Sequence, residues 1–152
     1  MKSVKFEELP SLVGQEVGKS EWHQVTQEQV NQFAEATGDH QWIHVDVDRA
    51  KAGPFGAPIA HGFLTLSLIP MLMSEVMRVE GVKMGVNYGL NRLRFPAPVP
   101  VGSRVRATSK LVSVEDVQGG YQVVNEVTIE LEGGQKPVCV AEMVARYYGG
   151  AA

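Results

Sequence analysis

Residues 61–79 of the chain read HGFLTLSLIPMLMSEVMRV, and no other part of the sequence constrains the architecture as tightly. A helix formed by this stretch would be apolar on nearly every side, and such a helix has to be buried. Polar residues interrupt the run too often for a membrane span, which needs about 20 predominantly apolar residues in succession. The sequence therefore predicts a central helix wrapped by other elements, with a kink or a break at Pro70.

Downstream of this helix the sequence takes on the two-residue period of β-strands. In the stretch 121–131, apolar side chains alternate with mostly polar ones, and Asn125 is the exception on the apolar face. Such a strand belongs to an antiparallel sheet with one face in water. We therefore expect an α+β fold, in one domain over residues 1–152, with the helices segregated to one face of the sheet. The strands are expected at 82–95, 103–117, 121–131 and 138–148.

Upstream, the sequence predicts a first helix between Thr26 and Gly38. Thr26 and Gln29 form the ends of a capping box, and Gly38 suits the left-handed residue that ends a helix. Asp39 would then be the first side chain after a sharp reversal, aimed by the backbone. The connection 39–60 is long for so small a domain, which indicates a functional loop.

Four residues near the two helix ends could carry chemistry together. Asp39 and His44 place a carboxylate and an imidazole in the same loop, and His61-Gly62 opens the central helix. An acid and a base can take up and return a proton, and a backbone N–H at a helix start can stabilise a developing negative charge on an oxygen. This combination favours proton-transfer chemistry without a metal or a bound cofactor.

A metal site is an alternative interpretation of the same loop. His40, His44, Asp46 and Asp48 all carry groups that ligate metals. Neither an HExxH pattern nor a cysteine ligand accompanies them. We therefore expect no metal ion.

Composition excludes several classes of function. The net charge is −3 and the pI is about 5.8, which argues against nucleic acid as the main partner. A single cysteine, Cys139, excludes an internal disulfide and fits a reducing compartment. Charged residues at positions 2, 5, 7 and 8 interrupt any signal-peptide core. We expect a cytoplasmic protein without membrane contact.

Three motifs carry a resemblance to a known family. The pattern FAxxTGDxxxIH at 33–44 and the sequence IAHG at 59–62 resemble the MaoC-like (R)-specific enoyl-CoA hydratases. The stretch NYGLNRLRFPAPV at 87–99 resembles the NodN-type branch of that family. The likeness extends from about Trp22 to Tyr148. It implies the hotdog fold, in which a long antiparallel sheet wraps around a helix, and a homodimer as the usual assembly.

The resemblance also implies a reaction and roles for three residues. Asp39 and His44 match the catalytic pair, and Gly62 matches the glycine whose N–H receives the thioester oxygen. The implied substrate is an acyl-CoA thioester. Water would add reversibly and syn to a trans-2-enoyl-CoA, giving (3R)-3-hydroxyacyl-CoA. Such a product serves fatty-acid metabolism or the synthesis of polyhydroxyalkanoate.

The chain departs from the family pattern immediately before Ile43 and His44. The family has asparagine and proline there, whereas this sequence has Gln41 and Trp42. We expect Trp42 to replace the proline by packing and to line the acyl pocket. Phe63 and His61 are further candidates for the substrate pocket, and the His61 ring is expected to bond the loop and hold Gly62 in place.

Two other functions are compatible with the same residues. Hotdog proteins also include acyl-CoA thioesterases, which attack the carbonyl carbon and release a free thiol. A non-catalytic acyl-thioester-binding module would bind CoA esters without turning them over. The Asp39–His44 pair favours the hydratase.

Overall fold

The computed structural model of the protein describes residues 1–149, and in this range a long antiparallel sheet packs against short helices. The strands follow the order β2-β6-β7-β8-β5 across the sheet, and β3 also pairs with β6. The strands are β1 (Lys2–Lys5), β2 (Glu16–Lys19), β3 (His23–Gln24), β4 (Met77–Glu80), β5 (Val82–Arg94), β6 (Arg104–Val117), β7 (Gly120–Leu131) and β8 (Cys139–Gly149). This is the sheet-dominated α+β architecture that the sequence predicts.

The helices precede the long strands. They are α1 (Gln27–Thr37), α2 (Trp42–Val45), α3 (Val47–Lys51), α4 (Gly62–Ser67) and α5 (Ile69–Ser74), and a 3-10 helix covers Phe6–Leu12. The inward side chains of the sheet cover α4 and α5, as the hotdog arrangement requires. On β7, Val123, Val127 and Ile129 point inward and are fully or almost fully buried.

The predicted central helix is shorter than its sequence pattern and consists of two pieces. It breaks at Leu68, and Pro70 lies in the first turn of α5, where its missing N–H costs nothing. The prediction of a kink or break at Pro70 is therefore confirmed. The prediction of helix through Val79 is wrong, because β4 begins at Met77 and pairs in parallel with β1. The local pattern of these residues fits a helix, and they form a strand because they pair with the distant β1.

Two hydrophobic clusters fill the space between the helices and the sheet. The first surrounds α4 and α5 and includes Leu64, Leu72 and Val127. The second lies under the 3-10 helix, where Leu9 packs against Val123 and other sheet residues. The sequence pattern did not reveal the N-terminal elements that build this second cluster. Among residues 1–149, no helix combines the length and the apolar character that crossing a membrane requires.

Candidate active site

The end of α1 aims Asp39. Thr26 accepts a hydrogen bond from the Gln29 N–H at 3.2 Å and starts the helix. Gly38 ends it with φ of 82°, and its N–H donates to the Ala34 carbonyl at 2.8 Å. The Asp39 side chain is exposed and accepts a hydrogen bond from the Gln41 N–H at 3.3 Å. The carboxylate is therefore held in a turn at the entrance to α2.

The short helix α2 presents His44 inward, and the side chain is only 6 % exposed. Its Nδ1 lies 2.6 Å from the Ile59 carbonyl oxygen. Because a carbonyl can only accept, Nδ1 carries the hydrogen and Nε2 of the neutral ring keeps its lone pair. The Gln27 side chain donates to the His44 carbonyl at 2.8 Å and ties α2 to α1. His44 is thus set up as a proton acceptor through Nε2.

His61 links the other parts of the site. It is 3 % exposed, and its Nε2 donates to the Asp39 carbonyl at 3.0 Å. Its ring stacks on that of His44, with centroids 3.9 Å apart, and also packs against Phe33. Among residues 1–149, its Nδ1 has no hydrogen-bond partner. His61 holds the Asp39 turn and the His44 ring in one arrangement.

The structure brings Asp39, His44 and His61 together as the sequence pattern anticipates. One candidate ligand atom from each lies within 4.8 Å of the other two. That separation allows one water to hydrogen-bond two of the groups at once. It does not favour a shared metal ion, because an imidazole binds metal in its own plane and these two planes are stacked, at 24° to one another. The cluster suits water-mediated proton transfer.

Burial lowers the pKa of His44 below its ordinary value of 6.5. The hydrogen bond to Ile59 opposes this shift, the nearby His61 adds to it, and the Asp39 carboxylate opposes it. The lowering prevails because the ring is removed from water. A lowered pKa keeps His44 neutral at physiological pH, which a general base requires.

His44 and Gly62 line the same pocket, which has a volume of about 310 Å³. The sequence analysis did not assign the other residues of the pocket wall to the site. The motifs GPFGAP at 53–58 and FPAPV at 95–99 contain much of that wall, and they were the sequence features that could have identified it. The additional lining residues include Phe55, Thr65, Phe95, Pro96, Pro98 and Val99.

The position of Phe95 explains why residue 62 is a glycine. A Cβ added at Gly62 would lie 2.9 Å from two carbons of the Phe95 ring. The glycine therefore lets an aromatic side chain close directly over the start of α4. The Gly62 N–H has no hydrogen-bond partner among residues 1–149, so it remains available as a donor in the pocket.

Trp42 and Phe63 take different positions from the other candidates. The Trp42 ring lies beneath the Arg49 guanidinium, 4.2 Å from its carbon to the ring centroid. The same ring closes on Gly53, where a Cβ would approach it to 3.0 Å. Trp42 therefore packs against both Arg49 and Gly53, and we call this packing at the start of α2 the Trp42 brace. Phe63 is 65 % exposed and meets Phe95 edge-on, with centroids 6.1 Å apart.

Comparison with known proteins agrees with this geometry. The sequence model of the MaoC like domain matches residues 8–133. The chain belongs to the MaoC-like dehydratase family. It is 60 % identical over 141 residues to 3-hydroxyacyl-thioester dehydratase Z of Mycobacterium tuberculosis, covering 92 % of this chain and 93 % of that protein. It is 45 % identical over 148 residues to Nodulation protein N of Rhizobium leguminosarum bv. viciae, covering 95 % and 91 %.

Solved structures of MaoC-like proteins share the fold. An (R)-hydratase from A. caviae involved in PHA biosynthesis superposes with a TM-score of 0.71 at 25 % identity, covering 88 % of this chain and 94 % of that one. The monoamine oxidase regulatory protein from Archaeoglobus gives a TM-score of 0.78 at 25 % identity, covering 99 % and 98 %. The family and the hotdog fold implied by the sequence motifs are both confirmed.

Proposed function

We propose that this protein is a lyase that hydrates trans-2-enoyl-CoA reversibly to (3R)-3-hydroxyacyl-CoA. The observation that carries the proposal is the cluster of Asp39, His44 and His61 within 4.8 Å, beside the pocket that His44 shares with Gly62. Further support comes from relatives named as a 3-hydroxyacyl-thioester dehydratase and an (R)-hydratase.

In the proposed reaction, Asp39 and His44 hold one water between them. The unprotonated Nε2 of His44 accepts a proton from this water as its oxygen bonds to the β-carbon. The π electrons move towards the thioester oxygen and form an enolate. His44 then returns the proton to the α-carbon, so that one water is added across the double bond. Asp39 orients the water through its second hydrogen and stabilises the imidazolium.

The Gly62 N–H is the proposed donor to the thioester oxygen. Charge on this oxygen increases as the enolate forms, so a fixed donor stabilises the transition state more than the substrate. The apolar wall of Phe55, Phe95 and the proline-rich connector is proposed to limit the access of water to the reacting atoms. Because His44 carries both proton transfers and Asp39 orients the water, the proposed reaction uses neither a metal nor an organic cofactor.

An assay with crotonyl-CoA separates the hydratase from the thioesterase and the binding module, and analysis of the product tests the stereochemistry. Incubation with crotonyl-CoA should remove the absorbance of the conjugated enoyl thioester without releasing free thiol. Water held by one loop can reach only one face of the alkene, so the addition should be syn. Chiral chromatography of the hydrolysed product should give the (R) acid. Thiol release, binding without turnover, or a predominantly (S) product would contradict the proposal.

The proposal includes a homodimer built through β5. This strand of 13 residues lies at the edge of the sheet, and unpaired edges of this length readily accept another strand. Large apolar side chains are exposed along it, as expected of a surface that a second copy covers. They are Met84, Val86, Tyr88 and Leu90. Pairing of two β5 strands would also cover the groove beside α4 and α5, so that each site draws on both chains.

The single cysteine and the reaction class support a cytoplasmic enzyme of fatty-acid metabolism or polyhydroxyalkanoate supply. Trp42, His61 and Phe63 are not among the residues that line the pocket of His44 and Gly62. Under this proposal they act beside that pocket rather than in the chemical step.

A further inference from the structure

Asn125 is a polar residue at a position where the fold calls for an apolar one. It points inward from β7 between Val123 and Val127, and it is only 6 % exposed. Val123 belongs to the cluster under the 3-10 helix, and Val127 belongs to the cluster around α4 and α5. Asn125 therefore lies where the two hydrophobic clusters meet, and neither cluster explains an amide there.

The space beside Asn125 is a cavity of about 290 Å³. Its wall is largely apolar and includes Ile69, Met73, Val127 and Met143. Asn125 is the most deeply buried of the polar residues that line it, since Asn87 and Ser74 are exposed and Tyr147 is half-buried. An amide in such surroundings costs free energy unless it is hydrogen-bonded.

Only one side of the amide is satisfied within the protein. The buried Ser109 hydroxyl donates to Asn125 Oδ1 at 3.3 Å. Among residues 1–149 the structure shows no acceptor for Asn125 Nδ2. Because the oxygen faces Ser109 and the residue lines the cavity, the amide N–H groups are left to donate into the cavity. The site thus offers a donor to whatever molecule enters.

The cavity at Asn125 and the catalytic pocket lie along the same two helices, and we call the row of cavities beside α4 and α5 the groove. The catalytic pocket touches Gly62 and Thr65, and the next cavity, of about 340 Å³, touches Leu66 and Pro70. The cavity at Asn125 begins at Ile69 and shares Pro70, Asn87 and Met143 with this middle one. These positions recur every three or four residues and so form one face of α4 and α5. At 1.5 Å per residue, Gly62 and Met73 lie roughly 16 Å apart along the helices.

We infer that Asn125, supported by Ser109, selects a substrate whose acyl chain carries a hydrogen-bond-accepting oxygen in its distal half. This inference rests on the proposed function, because it places the thioester at Gly62 and the chain along the groove. A plain hydrocarbon chain would displace water from Asn125 Nδ2 and leave the N–H groups unpaired. A keto oxygen at the right position would replace that water. Asn125 is therefore a specificity-determining residue.

The test compares substrates that differ in one group. In a series of long trans-2-enoyl-CoA esters, one methylene of the distal half is replaced by a carbonyl, position by position. Each kcat/KM is divided by that for crotonyl-CoA, so that differences in folded enzyme cancel. We expect one position to be favoured by about tenfold or more over the plain chain, because sites built to hydrogen-bond a substrate reject analogues that lack the group.

Two variants and one control assign the preference to the amide. Asn125→Leu should reverse it in favour of the plain chain. The double variant Ser109→Ala with Asn125→Leu removes both polar partners, leaves no orphaned hydroxyl, and should give the same reversal in a better-folded protein. The control Val127→Ala changes the volume of the same cavity and should keep the preference. A native enzyme with no favoured position, or a preference that survives Asn125→Leu, would overturn the inference.

A binding measurement keeps this test separate from the proposed function. Calorimetry with saturated acyl-CoA esters, with and without the distal carbonyl, requires no turnover and should show the same preference. If crotonyl-CoA is not hydrated, the proposed function fails, and the calorimetric preference still decides the role of Asn125. Equal dissociation constants for the two esters would contradict that role even in an active hydratase.

Discussion

The imidazole rings of His44 and His61 lie stacked, 3.9 Å apart between centroids, and each is fixed by a hydrogen bond to a different backbone carbonyl. His44 donates through Nδ1 to Ile59, and His61 donates through Nε2 to Asp39. The two bonds leave opposite nitrogens free, Nε2 on His44 and Nδ1 on His61. The hydrogen bond to Ile59 therefore fixes the tautomer of His44, the ring that we assign as the base, and the stack holds that ring against His61.

The first prediction concerns the catalytic pair. Asp39→Asn and His44→Ala should each lower kcat by about 10²–10⁴-fold, because each removes a group that handles or aligns the water. The double variant should be little worse than either single one, since the two residues act on the same water. Steady-state hydration of crotonyl-CoA measures all three.

The control for this pair is His40→Ala, which removes an exposed histidine from the same loop. It should retain native turnover. Thermal unfolding of each variant separates loss of chemistry from loss of fold. A folded Asp39→Asn or His44→Ala enzyme with most of its turnover would refute the assignment.

The second prediction follows from the lowered pKa of His44. Burial disfavours the protonated ring, so kcat/KM should be level through neutral pH and decline only below the ordinary histidine range. The unfolded chain binds a proton near pH 6.5, at a higher pH than folded His44 does. The stability contributed by a neutral His44 is therefore complete above about pH 6.5 and is lost as the pH falls below it.

The comparison of native enzyme with His44→Gln isolates this effect from other titrating groups. Their difference in unfolding free energy, measured by urea titration at several pH values, should change in the native enzyme's favour as the pH rises from 5 to 7. A difference that is constant over this interval would mean that His44 titrates normally.

Local sequence signals were sufficient for the residues at the centre of the candidate site. Gly38 indicates a left-handed helix end, and residue type together with family pattern identifies Asp39, His44 and Gly62 as the remaining participants. The walls of the pocket follow no such local rule. Phe95 reaches Gly62 from the end of β5. The spacing of apolar residues along the chain cannot predict a contact between residues so distant in sequence.

The error at β4 has a similar cause. Met77–Glu80 continues the apolar pattern of the central helix, and its pairing with β1 joins residues that lie about 75 positions apart. Tertiary pairing overrides a weak local preference in such a case. The long strands β6, β7 and β8 were predictable because their alternation is sustained and glycines mark the turns between them.

The third prediction concerns the Trp42 brace. Trp42→Ala should destabilise the fold by roughly 2 kcal/mol, less than a fully buried tryptophan, and should also lower kcat by loosening α2. Trp42→Pro should keep more turnover than Trp42→Ala. Gln41 already has the extended backbone that precedes proline, with φ of −56° and ψ of 138°, and Trp42 is the first residue of α2.

Arg49→Leu is the matched change at the cationic partner of the ring. It removes a cation–π contact worth about 0.5–1 kcal/mol and should lower the melting temperature with little effect on kcat. Equal kcat values for Trp42→Ala and native enzyme would show that the brace does not position His44.

The fourth prediction separates two reasons for glycine at position 62. Gly62→Ala keeps the backbone N–H but directs a methyl group into the Phe95 ring, so it should lower kcat/KM. Adding Phe95→Leu makes room for the methyl and should restore part of the loss. If the double variant is no better than Gly62→Ala alone, the substrate rather than Phe95 needs the space above Gly62.

The fifth prediction concerns β5. Tyr88 is 59 % exposed on the edge strand, and Tyr88→Lys places a charge in the proposed interface between two copies. This variant should be monomeric by light scattering and should lose activity, because a monomer leaves the groove beside α4 and α5 open. Val112→Lys is the matched control, since Val112 is 39 % exposed at a bulge on β6, away from this edge. A native protein that stays monomeric at high concentration and keeps full activity on dilution would contradict the assembly.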